Sequence, residues 1–301
     1  MMFFGERRCQ PAGGTGDHRR ADAAARQRTK ELPVPEPVRL TTDGTQKQDP
    51  VFLKGGDELV FTLLESPVQL RLMRLKVGDK APTKVNPDAT TNEFEATFTG
   101  DGSSYAFVQS RGNLNMKLVI RETATSKDAV FDPGGGFASV RRPSIHPKGD
   151  RVCFAIPAST GQEIASVSRD GKDRKTITAG GINNWPAYSP DGKRIAFCSS
   201  REGEFDLYVM NADGSDAKRV IKLDGMQTRP CWSPDGKRLA FTWNRDGNYD
   251  IYAVNIDGTG LVRLTDHAER DDYATWHPDG KSVVFVGERN GKFDLYSVAV
   301  K

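Results

Sequence analysis

The chain has 301 residues, of which 28% are charged, and 43 Lys and Arg against 40 Asp and Glu leave a formal net charge of only +3. Basic residues that are spread over turns along the whole chain do not build the face of a nucleic-acid binder, so no nucleic acid is expected as a partner. No stretch is apolar and long enough to span a bilayer, and the run Met1 to Phe4 is too short for the core of a secretory signal.

Residues 1 to about 36 are rich in Arg, Ala, Gly and Gln and cannot bury enough apolar surface to fold, so a disordered leader is expected there. Pro33, Pro35 and Pro37 make a stiff linker into residues 37–301. In that region one unit recurs. Its turn glycine is Gly56, Gly102, Gly149, Gly192, Gly236 and Gly280, at spacings of 46, 47, 43, 44 and 44 residues. The clearest copies read SPDGKRIAF from Ser189, SPDGKRLAF from Ser233 and HPDGKSVVF from His277.

Each copy divides into strand-sized pieces. In the fifth, an inner strand around Pro230 to Ser233 meets the turn Pro234-Asp235-Gly236, where proline presets φ and glycine accepts a left-handed backbone. Arg238 to Thr242 then alternates large Leu239 and Phe241 with small Ala240, a strand signal. A polar turn leads to a third strand at Tyr249 to Tyr252, matched by the FDLY sequences at Phe205 and Phe293. Asp257-Gly258 then introduces a short fourth strand, Val262 to Thr265. A period of this length built from short strands and turns is that of a β-propeller, and six copies predict an all-β fold of six four-stranded blades.

The last copy stops after its third strand, while Val38-Arg39-Leu40-Thr41 matches Val262-Arg263-Leu264-Thr265. The N-terminal segment is therefore expected to close the ring as the missing fourth strand, covering an edge that would otherwise expose unpaired backbone groups.

The combination of P-x-W/Y-S-P-D-G-K-R-I/L-A-F, an R-x-G-x-F/Y-D-I/L-Y hairpin and a D-G turn before R-L-T resembles the TolB-type WD40-like propeller repeat, most strongly from Trp185 to Lys301. The resemblance implies a non-enzymatic interaction platform, a protein or cell-envelope polymer as partner, and a periplasmic location, with the cytoplasm as the alternative because no export signal is visible. A monomer without cofactor is expected. Similar repeats also precede the catalytic domain of prolyl oligopeptidase relatives, which need a G-x-S-x-G nucleophile elbow that this sequence lacks. An accessory propeller of that kind, or a polysaccharide lyase or hydrolase with its site in the central channel, is the alternative function.

Positions that packing dictates should repeat. Phe61, Phe107, Phe154, Phe197, Phe241 and Phe285 do so, and Phe52, Phe98, Ile145, Tyr188, Trp232 and Trp276 form a second apolar ring expected between blades. Arg201, Arg245 and Arg289 are followed five residues later by Asp206, Asp250 and Asp294, a spacing that predicts a charge-assisted bond across the hairpin. His146 and His277 stand where other copies carry serine before the turn proline, so a local turn hydrogen bond is expected of them. Cys153, Cys198 and Cys231 are expected as buried thiols, with a Cys198–Cys231 disulfide left open. No metal site is predicted; the acidic loop from Asp266 to Asp272 comes nearest.

One set varies where the others repeat. Seven residues before each turn glycine stand Asp49, Glu95, Arg142, Trp185, Arg229 and Tyr273. They are expected just ahead of each inner strand, exposed around one mouth of the channel, with two acids on one side and two arginines and two aromatics on the other. Arg, Trp and Tyr are the types that dominate interface hot spots. This set is the predicted binding surface, and no catalytic constellation is predicted.

Overall fold

Strand alternation becomes pairing in the same order six times. The computed structural model describes residues 34–300 apart from 54, 113, 135–138, 160 and 246. The leader expected over residues 1–36 therefore falls outside the described residues up to residue 33, as does Cys9.

The described residues form six four-stranded antiparallel sheets, and five of them run from an innermost to an outermost strand in chain order. The innermost strands are Lys47–Phe52, Asn92–Phe98, Arg141–Ile145, Asn183–Tyr188, Met226–Trp232 and Asp271–Trp276, in blades 1 to 6. Outermost strands are short, two residues in five blades and four in blade 2, where Asp128–Phe131 serves. Short outer strands limit the backbone edge open to stray pairing. In blade 6 the outermost strand is Val38–Arg39, antiparallel to Lys292–Ala299, with Val38 opposite Ser297 and Arg39 opposite Tyr296. The N-terminal segment closes the ring.

The core lies between blades. The six repeated phenylalanines are fully buried, and in blade 5 the strand alternation assigns each face to a different neighbour. Leu239 and Phe241 pack with Ala196 and Cys198 of blade 4, whereas Ala240 packs with Trp276 and Phe285 of blade 6. Each sheet is thus apolar on both faces, and at about 25 cal/mol per Å² this burial is the main force holding the ring.

The turns repeat a polar lock. Ser233 Oγ donates to Asp235 at 2.6 Å and accepts from the Arg238 amide at 2.9 Å, while the Lys237 amide donates to Asp235 at 3.1 Å. His277 keeps the local contact, its Nδ1 lying 3.2 Å from the Asp279 amide, and adds a longer reach: Nε2 donates to the Gly56 carbonyl of blade 1 at 3.1 Å. Gly56 has φ +80°, and a Cβ there would stand 2.7 Å from that His277 nitrogen, so both backbone and space call for glycine.

For Arg201 and Arg289 the hairpin pairing expected with the aspartate five residues on is not what forms. Asp206, Asp250 and Asp294 instead receive Arg219, Arg263 and Arg39 from the outermost strand, at 3.2, 2.7 and 2.5 Å. Arg289 turns inward to Asp271 at 2.6 Å, and Arg201 donates to Ser199 and Asn183 at 2.9 and 3.0 Å. The outermost strand brings a competing arginine to each aspartate, and polar residues of the inner strand draw Arg201 and Arg289 away.

Candidate binding site in the central channel

Every innermost strand breaks its register at the same place. The ladder shifts between Gln48 and Val51, Phe94 and Thr97, Arg141 and Ser144, Asn184 and Ala187, Thr228 and Cys231, and Asp272 and Thr275. The first residue of each interruption is one of the six varying positions, with φ of 50°, 55°, 53°, 52°, 54° and 58° in chain order. A left-handed residue in a bulge leaves the pleat and re-aims its side chain. Pro50, Pro143, Pro186 and Pro230 follow in four blades, and proline inside a sheet is confined to edges and bulges.

All six side chains come together on the wall of one central pocket of about 200 Å³. Two features differ from the sequence expectation. The residues lie within the innermost strands rather than ahead of them, and they are not exposed: Glu95 is buried and the other five are half-buried. A bulge folds the side chain back over the channel, where five neighbours shield it.

The expected separation of acids from arginines is also bridged. Arg142 of blade 3 reaches past blade 2 to Asp49 of blade 1 at 2.5 Å, and its own amide donates to Glu95 at 2.6 Å. Arg141 donates to Glu95 from Nε and Nη2 at 2.9 and 2.7 Å. Burial would raise the Glu95 carboxyl, but the charges of Arg142 and Arg141 and their hydrogen bonds prevail and hold it below the ordinary range. Burial pushes the Asp49 carboxyl up against the opposing pull of Arg142, and its Oδ2 is sealed from water with no hydrogen-bond partner.

Arg229 stands on the other wall between two rings, its guanidinium 4.3 Å from the Tyr273 centroid and 5.4 Å from that of Trp185. Asp272 lies 3.2 Å from Nη1, and the Tyr273 hydroxyl 3.4 Å from Nη2. Arg229 Nε and Trp185 Nε1 are buried without a hydrogen-bond partner. Burial also pushes the Tyr273 phenol up.

Sequence reasoning missed Arg141 and Asp272, which tie down the pocket residues. They occupy the position just before each bulge, where Gln48, Phe94, Arg141, Asn184, Thr228 and Asp272 vary as freely as the predicted set. The same criterion, applied one residue earlier, finds them. Elsewhere, Asp271 and Asp272 of the acidic loop are occupied by Arg289 and Arg270. No group of three or more His, Cys, Asp and Glu that could hold a metal ion occurs among the described residues. Cys153, Cys198 and Cys231 are free thiols, so the open Cys198–Cys231 disulfide does not form.

Six four-stranded blades around a pocket lined from every blade define a β-propeller. The signature of the TolB beta propeller domain matches residues 216–301. A candidate TolB from Agrobacterium tumefaciens has a similar structure, with a TM-score of 0.66 and 21% identity, over 85% of this chain and 91% of that one. An oligogalacturonate lyase in complex with manganese is similar with a TM-score of 0.58 and 15% identity, over 90% of this chain and 95% of that one. At such identities the likeness is one of fold. In sequence, dipeptidyl-peptidase 5 of Porphyromonas endodontalis is 33% identical over 96 residues, 30% of this chain. The stretches matched in the first curated relatives, both peptidases by name, span only 13 to 14% of those proteins. Among the described residues no helix is long and apolar enough to cross a membrane.

Proposed function

We propose that this propeller is a non-enzymatic platform that holds a partner polypeptide at its central channel, in the manner of TolB-type proteins and in the cell envelope, with the periplasm as its place. The observation that carries this reading is the division of labour in the pocket. Of the groups suited to acid–base chemistry, Glu95 is tied up by both Arg141 and Arg142, and Asp49 is held through one oxygen by Arg142. The nucleophiles on the wall are quiet as well. Burial pushes the Cys231 thiol up, away from the reactive thiolate, and Ser144 Oγ accepts the Tyr188 amide at 3.0 Å. What remains available is Trp185, Arg229 and Tyr273, the side-chain types that anchor interfaces.

The likeness to an oligogalacturonate lyase over 90% of this chain supports one competing reading, a lyase acting in the channel. One experiment separates the two. The immobilised propeller is challenged with envelope extract and bound proteins are identified by mass spectrometry, while the same preparation is incubated with oligogalacturonate and manganese and followed for unsaturated product. The platform reading expects a defined bound protein and no turnover. Turnover without protein capture would replace it with the lyase.

A further inference from the structure

We infer that the pocket is a receptor for a single carboxylate on a polypeptide, gripped by the Nε–Nη2 edge of Arg229 with Trp185 and Tyr273 as walls. This rests on the platform reading and names the chemical group that the platform recognises.

The guanidinium is held on its other sides. Nη1 faces Asp272 at 3.2 Å, and the Tyr273 and Trp185 rings lie 4.3 and 5.4 Å from its centre. Asp272 is heavily shared, because it also takes Arg270, the Thr242 hydroxyl at 2.7 Å and the Tyr273 amide at 2.8 Å. Its charge is therefore divided between two arginines. The remaining edge of Arg229 is left over: Nε has no partner, and Nη2 has only the Tyr273 hydroxyl at 3.4 Å, long for a hydrogen bond. A buried charged donor without an acceptor is costly, and such a group in a native fold calls for an unseen partner. Two parallel N–H groups on one edge of a rigid fork match the two oxygens of a carboxylate. Trp185 Nε1 is a further buried donor without a partner among the residues that line the same pocket.

The opposite wall decides what carries that anion. Asp49 and Glu95 lie there, and Asp49 Oδ2 is an acceptor without a donor. Arg141 and Arg142 already compensate both acids, so this wall offers a second carboxylate no free cation, while the open oxygen of Asp49 invites an N–H. A polyuronide, with an acid on every sugar, finds no free cation for its next acid across the channel, whereas a peptide offers an isolated acid together with backbone N–H groups. A pocket of about 200 Å³ has room for roughly seven water volumes, enough for one acidic side chain or chain terminus.

The test follows the indole N–H signals of 15N-labelled protein, with the Trp185 signal assigned from Trp185→Phe. The probes are acetyl-Phe-Ala-Glu-amide, its Gln counterpart, acetyl-Phe-Ala-Ala as the free acid, and trigalacturonate. Saturable shifts of the Trp185 signal are expected with at least one of the carboxylate peptides, and at least tenfold weaker binding of the Gln amide. Whichever acid binds identifies a side chain or a terminus as the source. Arg229→Gln should abolish the response, and Arg229→Lys, which keeps the charge but loses the fork, should weaken it at least tenfold. If Arg229→Gln does not fold, the Lys variant decides. Equal binding of Glu and Gln peptides, an unchanged Arg229→Lys response, silence with every probe, or tighter binding of trigalacturonate would each overturn the inference. Envelope proteins captured equally by Arg229→Gln and the parent would leave the platform standing and remove only the carboxylate grip.

Discussion

Blades 5 and 6 hold their outermost strands with the same clasp, yet the residues that make it are 13 apart in sequence in one blade and 255 apart in the other. In blade 5, Arg263 donates to Asp250 at 2.7 Å and to the Thr265 carbonyl at 2.8 Å, while the Thr265 hydroxyl accepts the Ile251 amide at 2.9 Å. In blade 6, Arg39 donates to Asp294 at 2.5 Å and to the Thr41 carbonyl at 2.9 Å, while the Thr41 hydroxyl accepts the Leu295 amide at 3.0 Å. Chemistry is conserved where connectivity is not. Bringing distant segments together carries a larger loop-closure cost, and the closing seam holds more polar ties. The Gly44 amide donates to Asp294 at 3.3 Å, and Nζ of the buried Lys47 stands 3.6 Å from the same carboxylate while donating to the Phe293 carbonyl at 3.2 Å.

The sharpest way to break this comparison is to remove the closing strand. Deleting residues through Thr41 strips Asp294 and Leu295 of the Arg39 and Thr41 partners and uncovers the Lys292–Ala299 edge. Asp294 keeps Lys47 but loses its direct arginine, and with the uncovered edge and the lost hydrogen bonds about 3 kcal/mol is expected, a fall in melting temperature of roughly 10 °C for a domain of this size. Deletion through Pro35 spares the strand and should change little. Equal melting temperatures for the two truncations would refute closure by this segment.

A finer comparison sets Asp294→Asn against Asp250→Asn. The first removes the charge that faces both Arg39 and the buried Lys47, which keeps Asp43, and about 2 kcal/mol is expected. The second loses one ion pair with the partly exposed Arg263, for which about 1 kcal/mol is expected. Urea unfolding of both variants measures the gap; identical losses would mean that the closing seam carries no more than an ordinary blade.

The closure could be read in advance because a four-residue match carries both the pairing strand and its side-chain clasp. Blade number followed from the turn glycines for a similar reason, since a left-handed turn admits few other residues. The pocket residues were found by their variation, but their bulge was not foreseen. Left-handed backbone at Asp49, Glu95, Arg142, Trp185, Arg229 and Tyr273 has no signature in residue type, and only the four prolines that follow hint at it. The Arg142–Asp49 bridge was hidden for another reason: it joins blades that are not neighbours, and no repeat period relates its partners. The hairpin arginines misled because spacing within one hairpin says nothing of the competing arginine on the outermost strand.

The smallest expected effect lies at the turn faces where blade 6 meets blade 1. His277 and Ser233 occupy the same position, but only the imidazole is long enough to cross the seam and donate to the Gly56 carbonyl at 3.1 Å. Its ring also meets Phe52 edge-on, with centroids 4.8 Å apart. In His277→Ser the hydroxyl should restore the local lock that Ser233 makes with Asp235 and the Arg238 amide, so the turn itself survives. What is lost is the bond across the seam and the ring contact, together about 1 kcal/mol. The urea midpoint should fall accordingly with an unchanged slope, because the surface exposed on unfolding stays the same. Ser233→His provides the reciprocal variant, placing the longer ring at the junction of blades 5 and 6. A loss in His277→Ser as large as that of Asp294→Asn would show that the turn faces, rather than the clasp, bear the strain of closing the ring.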